Sequence, residues 1–128
     1  MRILVTGGAG YIGSKLVKKL LDEGFGVKVF DSLVFGGESP LIFSDNTNFQ
    51  IVKGSVTDRT EVKKALLGCD AVIHMAALVF IGDGKLAKFI NEVNYEGTKI
   101  VAEAIPTKSI KPRQRAMIFC SRSVRPLR

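Results

Sequence analysis

The sequence predicts an α/β fold, a parallel β-sheet wound with helices on both faces. Three observations predict it. Short apolar runs at Ile3–Val5, Val27–Phe30, Ile51–Val52 and Ala71–His74 read as strands, and helical periodicity follows the first, third and fourth of them. Strands joined through helices run parallel, with right-handed crossovers. The first strand also empties into Gly7-Gly8-Ala9-Gly10-Tyr11-Ile12-Gly13, directly before the first helix. The expected sheet is doubly wound, has order 3-2-1-4-5 and stops after about five strands.

Taken in order, the first unit is strand, glycine turn, helix, strand and acid. Gly7 permits a tight turn out of the strand, Gly10 leaves bare backbone, and Gly13 lets the helix lie close on the strand. The helix spans about Tyr11 to Glu23, with Ile12, Leu16, Val17, Leu20 and Leu21 on one side, and Gly24 ends it. Its first N–H groups, at Tyr11 and Ile12, and its positive dipole end suit a diphosphate. Strand two covers Gly26 to Phe30. Asp31 closes the unit 18 residues after Gly13. At the end of that strand its carboxylate can accept hydrogen bonds from ribose hydroxyls and would repel a 2′-phosphate. The ligand implied is a dinucleotide, NAD rather than NADP. Packing glycines in a plain strand-turn-helix are the competing reading, which the flanking strand, helix and acid weigh against.

Residues 32–48 read as a loop, with Phe35 and Phe43 as its anchors rather than as ligand contacts. Strand three is Phe49 to Lys53. Asp58 caps the next helix, Arg59 to Leu67, and Glu61 three residues on makes a capping-box-like pair. Strand four is Ala71 to His74. Met75-Ala76-Ala77 occupies its carboxyl end, where ligands of open α/β sheets bind, and the small Ala76 and Ala77 leave room for a nicotinamide ribose. His74 is the single histidine and has no nucleophile or acid partner in the pattern, so it reads as structural. Gly82-Asp83-Gly84 breaks the chain before a helix of about Leu86 to Ala104, on which Asn94 and Thr98 share a face. Gly97 inside that helix costs about 1 kcal/mol against Ala, and close helix–sheet packing would explain it.

TGGAGYIGSKLVKKLLDEG, with CDAVIHMAA at 69–77, NYEGT at 94–98 and GSVTD at 54–58, resembles the extended short-chain dehydrogenase/reductase family. Its NAD-dependent nucleotide-sugar epimerases and dehydratases are the nearest in pattern, over residues 1–104. The resemblance implies a Rossmann-type fold and NAD as cofactor. It implies that Ser55 and Val56 stand where an acid-aliphatic pair meets the adenine. It implies that Asn94 helps hold the loop after strand four and the cofactor. Ser55 replaces the family's usual acid and accepts less strongly from an amino group. In the family a Tyr-x-x-x-Lys pair acts later in the chain. Tyr95 and Lys99 match it by count only, since they lie before strand five. No catalytic residue is therefore expected here. The chain is expected to be the cofactor portion of an epimerase or dehydratase, catalytically incomplete, binding NAD weakly or not at all. A nucleotide-sugar substrate would belong to the complete enzyme. A non-enzymatic dinucleotide-binding or partner-docking module is the alternative.

Composition bounds the rest. The chain has 128 residues, 46% of them apolar, and no apolar run of transmembrane length or signal-peptide character. Two distant cysteines, Cys69 and Cys120, suggest reduced thiols in a cytoplasmic protein, and one histidine argues against a zinc site. The net charge of +7 is not spread evenly: all 12 acids precede residue 107, and seven of the 19 basic residues follow it. The organisation expected is an NAD-binding domain at 1–106 and a basic segment at 107–128 with a fifth strand at 116–120. That segment matches no nucleic-acid motif. From residue 105 the likeness to the family weakens, as a fragment, a shifted frame or a short protein with its own tail would show. An uncovered sheet edge there suggests self-association.

Overall fold

The computed structural model describes residues 1–35, 39–79 and 86–105. Strand β1 (Arg2–Thr6) leads into helix α1 (Tyr11–Asp22) and strand β2 (Gly26–Asp31). A short 3-10 turn (Ser39–Phe43) precedes strand β3 (Phe49–Lys53), helix α2 (Arg59–Leu66) and strand β4 (Ala71–His74). The last described stretch is α3 (Ala87–Asn91), a π-helical turn (Glu92–Gly97) and α4 (Thr98–Ala104). All pairings are parallel, and the sheet order is β3-β2-β1-β4. The expected fifth strand at 116–120, the basic segment and the Gly82–Gly84 break lie outside the described residues.

Both faces of the sheet are covered, which is why its strands read as near-continuous apolar runs. Alternate residues of β1 point to opposite sides. Leu4 packs with Phe30, Val62, Val72 and Val101 beneath α2 and α4, whereas Ile3 and Val5 pack with Val17, Val27 and Val29 beneath α1. Leu4 and Val5 are fully buried. Truncating Leu4 to Ala would cost about 2–5 kcal/mol by the usual large-to-small range.

Helix ends follow the sequence cues. Gly24 and Gly68 take positive φ (81° and 75°) where α1 and α2 finish. Asp58 caps α2, accepting from the backbone of Thr60 and Glu61. Glu61 reaches back to the Ser55 amide at 2.8 Å, rather than to its own cap residue. Lys28 lies on the α2 side of the sheet, is buried, and donates from Nζ to the carbonyls of Ala65 (3.1 Å) and Leu67 (2.7 Å). A strand cation thus serves as the C-terminal cap of a helix.

Two expectations need correction. The helix expected from Leu86 to Ala104 runs without a break from Ala87, widened to a π turn at Glu92–Gly97, but the packing reason given for Gly97 changes: a Cβ there would fall 2.7 Å from a Val56 methyl. The close packing of Gly97 is therefore against the segment after β3, not the sheet. Of the two loop aromatics, only Phe43 anchors, edge-on to Phe49 at 5.8 Å, while Phe35 is 83% exposed.

Candidate functional site

The expected site residues gather along the carboxyl ends of the strands. The turn after β1 is tied to both neighbours. Gly7 N–H donates to the Phe30 carbonyl at 2.9 Å, and Ala9 N–H donates to Asp31 Oδ2 at 3.0 Å. Gly7 has φ +70°, and an added Cβ would lie 2.6 Å from the Ala76 nitrogen. Gly13 needs its missing Cβ even more, because one would sit 2.2 Å from the Gly7 carbonyl oxygen. Gly8 abuts Val29 in the same way, at 2.8 Å. These three glycines are explained by the protein's own packing.

Gly10 is not. It is exposed, its φ of −72° and ψ of 172° suit any residue, and an added Cβ would meet only the Gly7 carbonyl at 3.4 Å. It is also the residue before α1, whose first turn has no side-chain cap and no acid. The first N–H groups of a helix have no intrahelical acceptor, so that turn presents donors and a positive dipole end. Tyr11 and Ile12 are 80% and 67% exposed beside it, and Lys15 lies over the Tyr11 ring.

Asp31 faces this turn from the end of β2. Its Oδ2 accepts from Ala9 and its Oδ1 from Leu33 at 2.9 Å, leaving each carboxylate oxygen a further acceptor direction. Leu33 stands at φ 59°, which is uncommon for a branched residue, and the Asp31 bond is what holds its amide there. Gly54 N–H donates to the Asp31 carbonyl at 2.9 Å, which brings the Ser55-Val56 segment alongside. The Ser55 hydroxyl is 2.7 Å from that of Thr57, and Val56 is buried in the core below α4. Ser55 therefore spends its hydroxyl locally, and its own amide is taken by Glu61.

Across the crevice, Ala76 and Ala77 are half-buried after β4. Asn94 is buried, with Oδ1 accepting from Leu78 N–H (2.7 Å) and Nδ2 donating to the Leu78 carbonyl (2.9 Å). Its side chain thus grips the loop rather than facing the crevice. His74 is buried with both ring nitrogens engaged, Nδ1 with Thr6 at 2.6 Å and Nε2 with Thr98 at 2.9 Å. Burial pushes its pKa down to about 4, so it is neutral at pH 7. Thr6 was not singled out from sequence. A hydroxyl ending an apolar strand was the available signal. Cys69, at the far end of β4, has its thiol pushed up by burial and takes no part in the site.

The 3-beta hydroxysteroid dehydrogenase/isomerase family matches residues 4–124, past the residue 104 at which the sequence resemblance fades. The chain belongs to that family. The match bears out the short-chain dehydrogenase/reductase resemblance and the Rossmann-type fold. Among the relatives of the chain, a dTDP-glucose 4,6-dehydratase of Streptomyces niveus is 36% identical over 116 residues, covering 81% of this chain and 34% of that protein. A 3 beta-hydroxysteroid dehydrogenase/Delta 5-->4-isomerase of Mycobacterium tuberculosis is 35% identical over 83 residues, covering 65% and 21%. The crystal structure of the UDP-glucose 4-epimerase of Thermus thermophilus in complex with NAD superposes with a TM-score of 0.69 at 32% identity, covering 81% of this chain and 33% of that one. The chain thus spans about a third or less of the length of these relatives. No helix among the described residues is long and apolar enough to cross a membrane.

Proposed function

We propose that this chain is the NAD-binding portion of a cytoplasmic nucleotide-sugar epimerase or dehydratase. The observation that carries the reading is Gly10. It is a glycine with no conformational or packing reason of its own, placed where an uncapped helix turn exposes its amides. A ligand that must touch backbone supplies the missing reason. The sugar dehydratase and the NAD-bound epimerase among the relatives support the substrate class and the cofactor.

Each residue then has a role. The amides at Tyr11, Ile12 and Gly13 face the diphosphate, and Asp31 accepts from ribose hydroxyls with the directions left free by Ala9 and Leu33. Ser55 and Val56 border the adenine end, and Ala76 and Ala77 leave space at the nicotinamide end. Bound NAD supplies the hydride acceptor and donor for a sugar carbon. The groups that move the substrate's proton belong to the complete enzyme.

A ¹H–¹⁵N chemical-shift titration with millimolar NAD and NADP tests this. Saturable shifts confined to residues 7–13, 31–33 and 76–78 are expected with NAD. NADP should bind at least about fivefold more weakly, since a carboxylate meeting a phosphate at contact range costs roughly 1–4 kcal/mol. Asp31→Ala should abolish the NAD response. No saturable shift, or an equal response to NADP, would overturn the proposal.

A further inference from the structure

A buried chain of hydrogen bonds runs from the end of β1 through His74 to the start of α4, and its proton positions are fixed by its surroundings. The Thr98 hydroxyl donates to the Asn94 carbonyl at 2.6 Å, so towards His74 it can only accept. His74 Nε2 must therefore carry the hydrogen. At the other end, Thr6 Oγ1 accepts from the amides of Met75 (3.2 Å) and Ala76 (3.3 Å), which leaves its hydrogen for His74 Nδ1. The opposite tautomer would set Nε2 against a Thr98 lone pair and leave the Thr6 hydrogen without an acceptor. The bonds among Thr6, His74, Thr98 and Asn94 are thus satisfied together by this tautomer and not by the other. The chain ends on the amides of the loop at 75–79, whose Leu78 is gripped by Asn94 in the same turn.

We propose that His74 is a positioning residue. As the neutral Nε2–H tautomer it joins Thr6 to Thr98 and so fixes the shape of the loop carrying Ala76 and Ala77 before any ligand arrives. Its bearing on dinucleotide affinity rests on the function proposed above, whereas the tautomer and the loop's rigidity do not. Unlike an apolar core residue of equal size, it transmits the position of α4 to the crevice through a directional link. A helix that shifts relative to β1 must break a bond in the chain, and the Ala76 amide then loses its fixed acceptor, whereas Met75 N–H keeps its bond to the Thr6 carbonyl at 3.0 Å.

The test uses the full chain. Imidazole ¹⁵N spectra at neutral pH are expected to show protonated Nε2 and bare Nδ1. His74→Phe should speed exchange of the Ala76 amide by about tenfold, the scale of one lost hydrogen bond, relative to those of Leu4 and Val29 and to that of Met75, which the Thr6 carbonyl still holds. NAD binding should weaken by a similar factor. His74→Gln, whose amide offers an acceptor and a donor, should recover most of both. If His74→Phe does not fold, Thr98→Val gives the same exchange readout. Protonated Nδ1, unchanged loop exchange in a folded variant, or Gln no better than Phe would each overturn the inference. Absence of NAD binding by the wild type would sink the cofactor reading, and the tautomer and exchange results would still decide this one.

Discussion

Replacing Gly10 by Ala separates what the fold requires from what a ligand requires. The backbone there, at φ −72° and ψ 172°, accepts alanine without strain, and the new methyl would approach only the Gly7 carbonyl at an ordinary 3.4 Å. As the residue capping α1, Ala is worse than Gly by up to about 1 kcal/mol, whereas a stiffer unfolded chain returns about 0.4–1 kcal/mol. Urea unfolding should therefore shift by less than about 0.5 kcal/mol. The methyl nevertheless occupies the space in which a diphosphate must touch the first amides of α1. Loss of that contact should weaken NAD by at least about tenfold, or 1.4 kcal/mol, so that the shift titration no longer saturates. Gly13→Ala is the contrast. Its Cβ would lie 2.2 Å from one backbone atom and 2.7 Å from another, and neither can swing aside. That variant should lose about 1–3 kcal/mol of stability or more. A folded Gly10→Ala chain that binds NAD like wild type would refute the reasoning.

Three further outcomes are expected. Lys28→Met keeps the stem but removes the donor to Ala65 and Leu67, so urea unfolding should report a loss of about 1–2 kcal/mol. Acid should destabilise the chain through His74, whose folded pKa of about 4 lies below its ordinary 6.5, with burial as the cause. The unfolded state binds the proton first, so this contribution is intact above pH 6.5 and lost as pH falls towards 4, by up to about 3 kcal/mol. His74→Gln should flatten that part of the pH–stability curve. Light scattering reads the self-association expected of an uncovered sheet edge, and a monodisperse monomer would count against it.

The sheet was legible because its signals are local. Strands β3 and β4 and the start of α1 fall where period and glycine place them, since apolar runs buried on both faces leave little freedom of register. The site was legible as a set of positions but not as a set of contacts. Asn94 could be placed beside the loop after β4, yet that both ends of its amide hold Leu78 depends on atoms 16 residues away. Thr6 follows the apolar run Ile3–Val5, and its bond to His74 spans 68 residues of sequence. The Lys28 cap and the close packing of Gly97 were hidden for one reason. Each is decided by a distant partner, two carbonyls of α2 in one case and Val56 against Gly97 in the other. Phe35 failed as an anchor because nothing in a local pattern says which loop aromatic finds a partner.

Asp31 shows why the crevice should not be divided into binding residues and scaffold. The carboxylate proposed to read a ribose also ties down Ala9 in the glycine turn and Leu33 in its positive-φ conformation. An alanine there would remove the proposed ligand contact and two loop contacts at once, so the loss expected exceeds that of a ribose bond alone. Asparagine leaves one acceptor oxygen for two amides and must release either Ala9 or Leu33. Reversing the charge to admit a 2′-phosphate would meet the same obstacle, because no cation can accept from those amides. On the proposed function, preference for NAD would be built into the support of the turn itself. A change of cofactor would require the turn to find new acceptors before it found a new ligand.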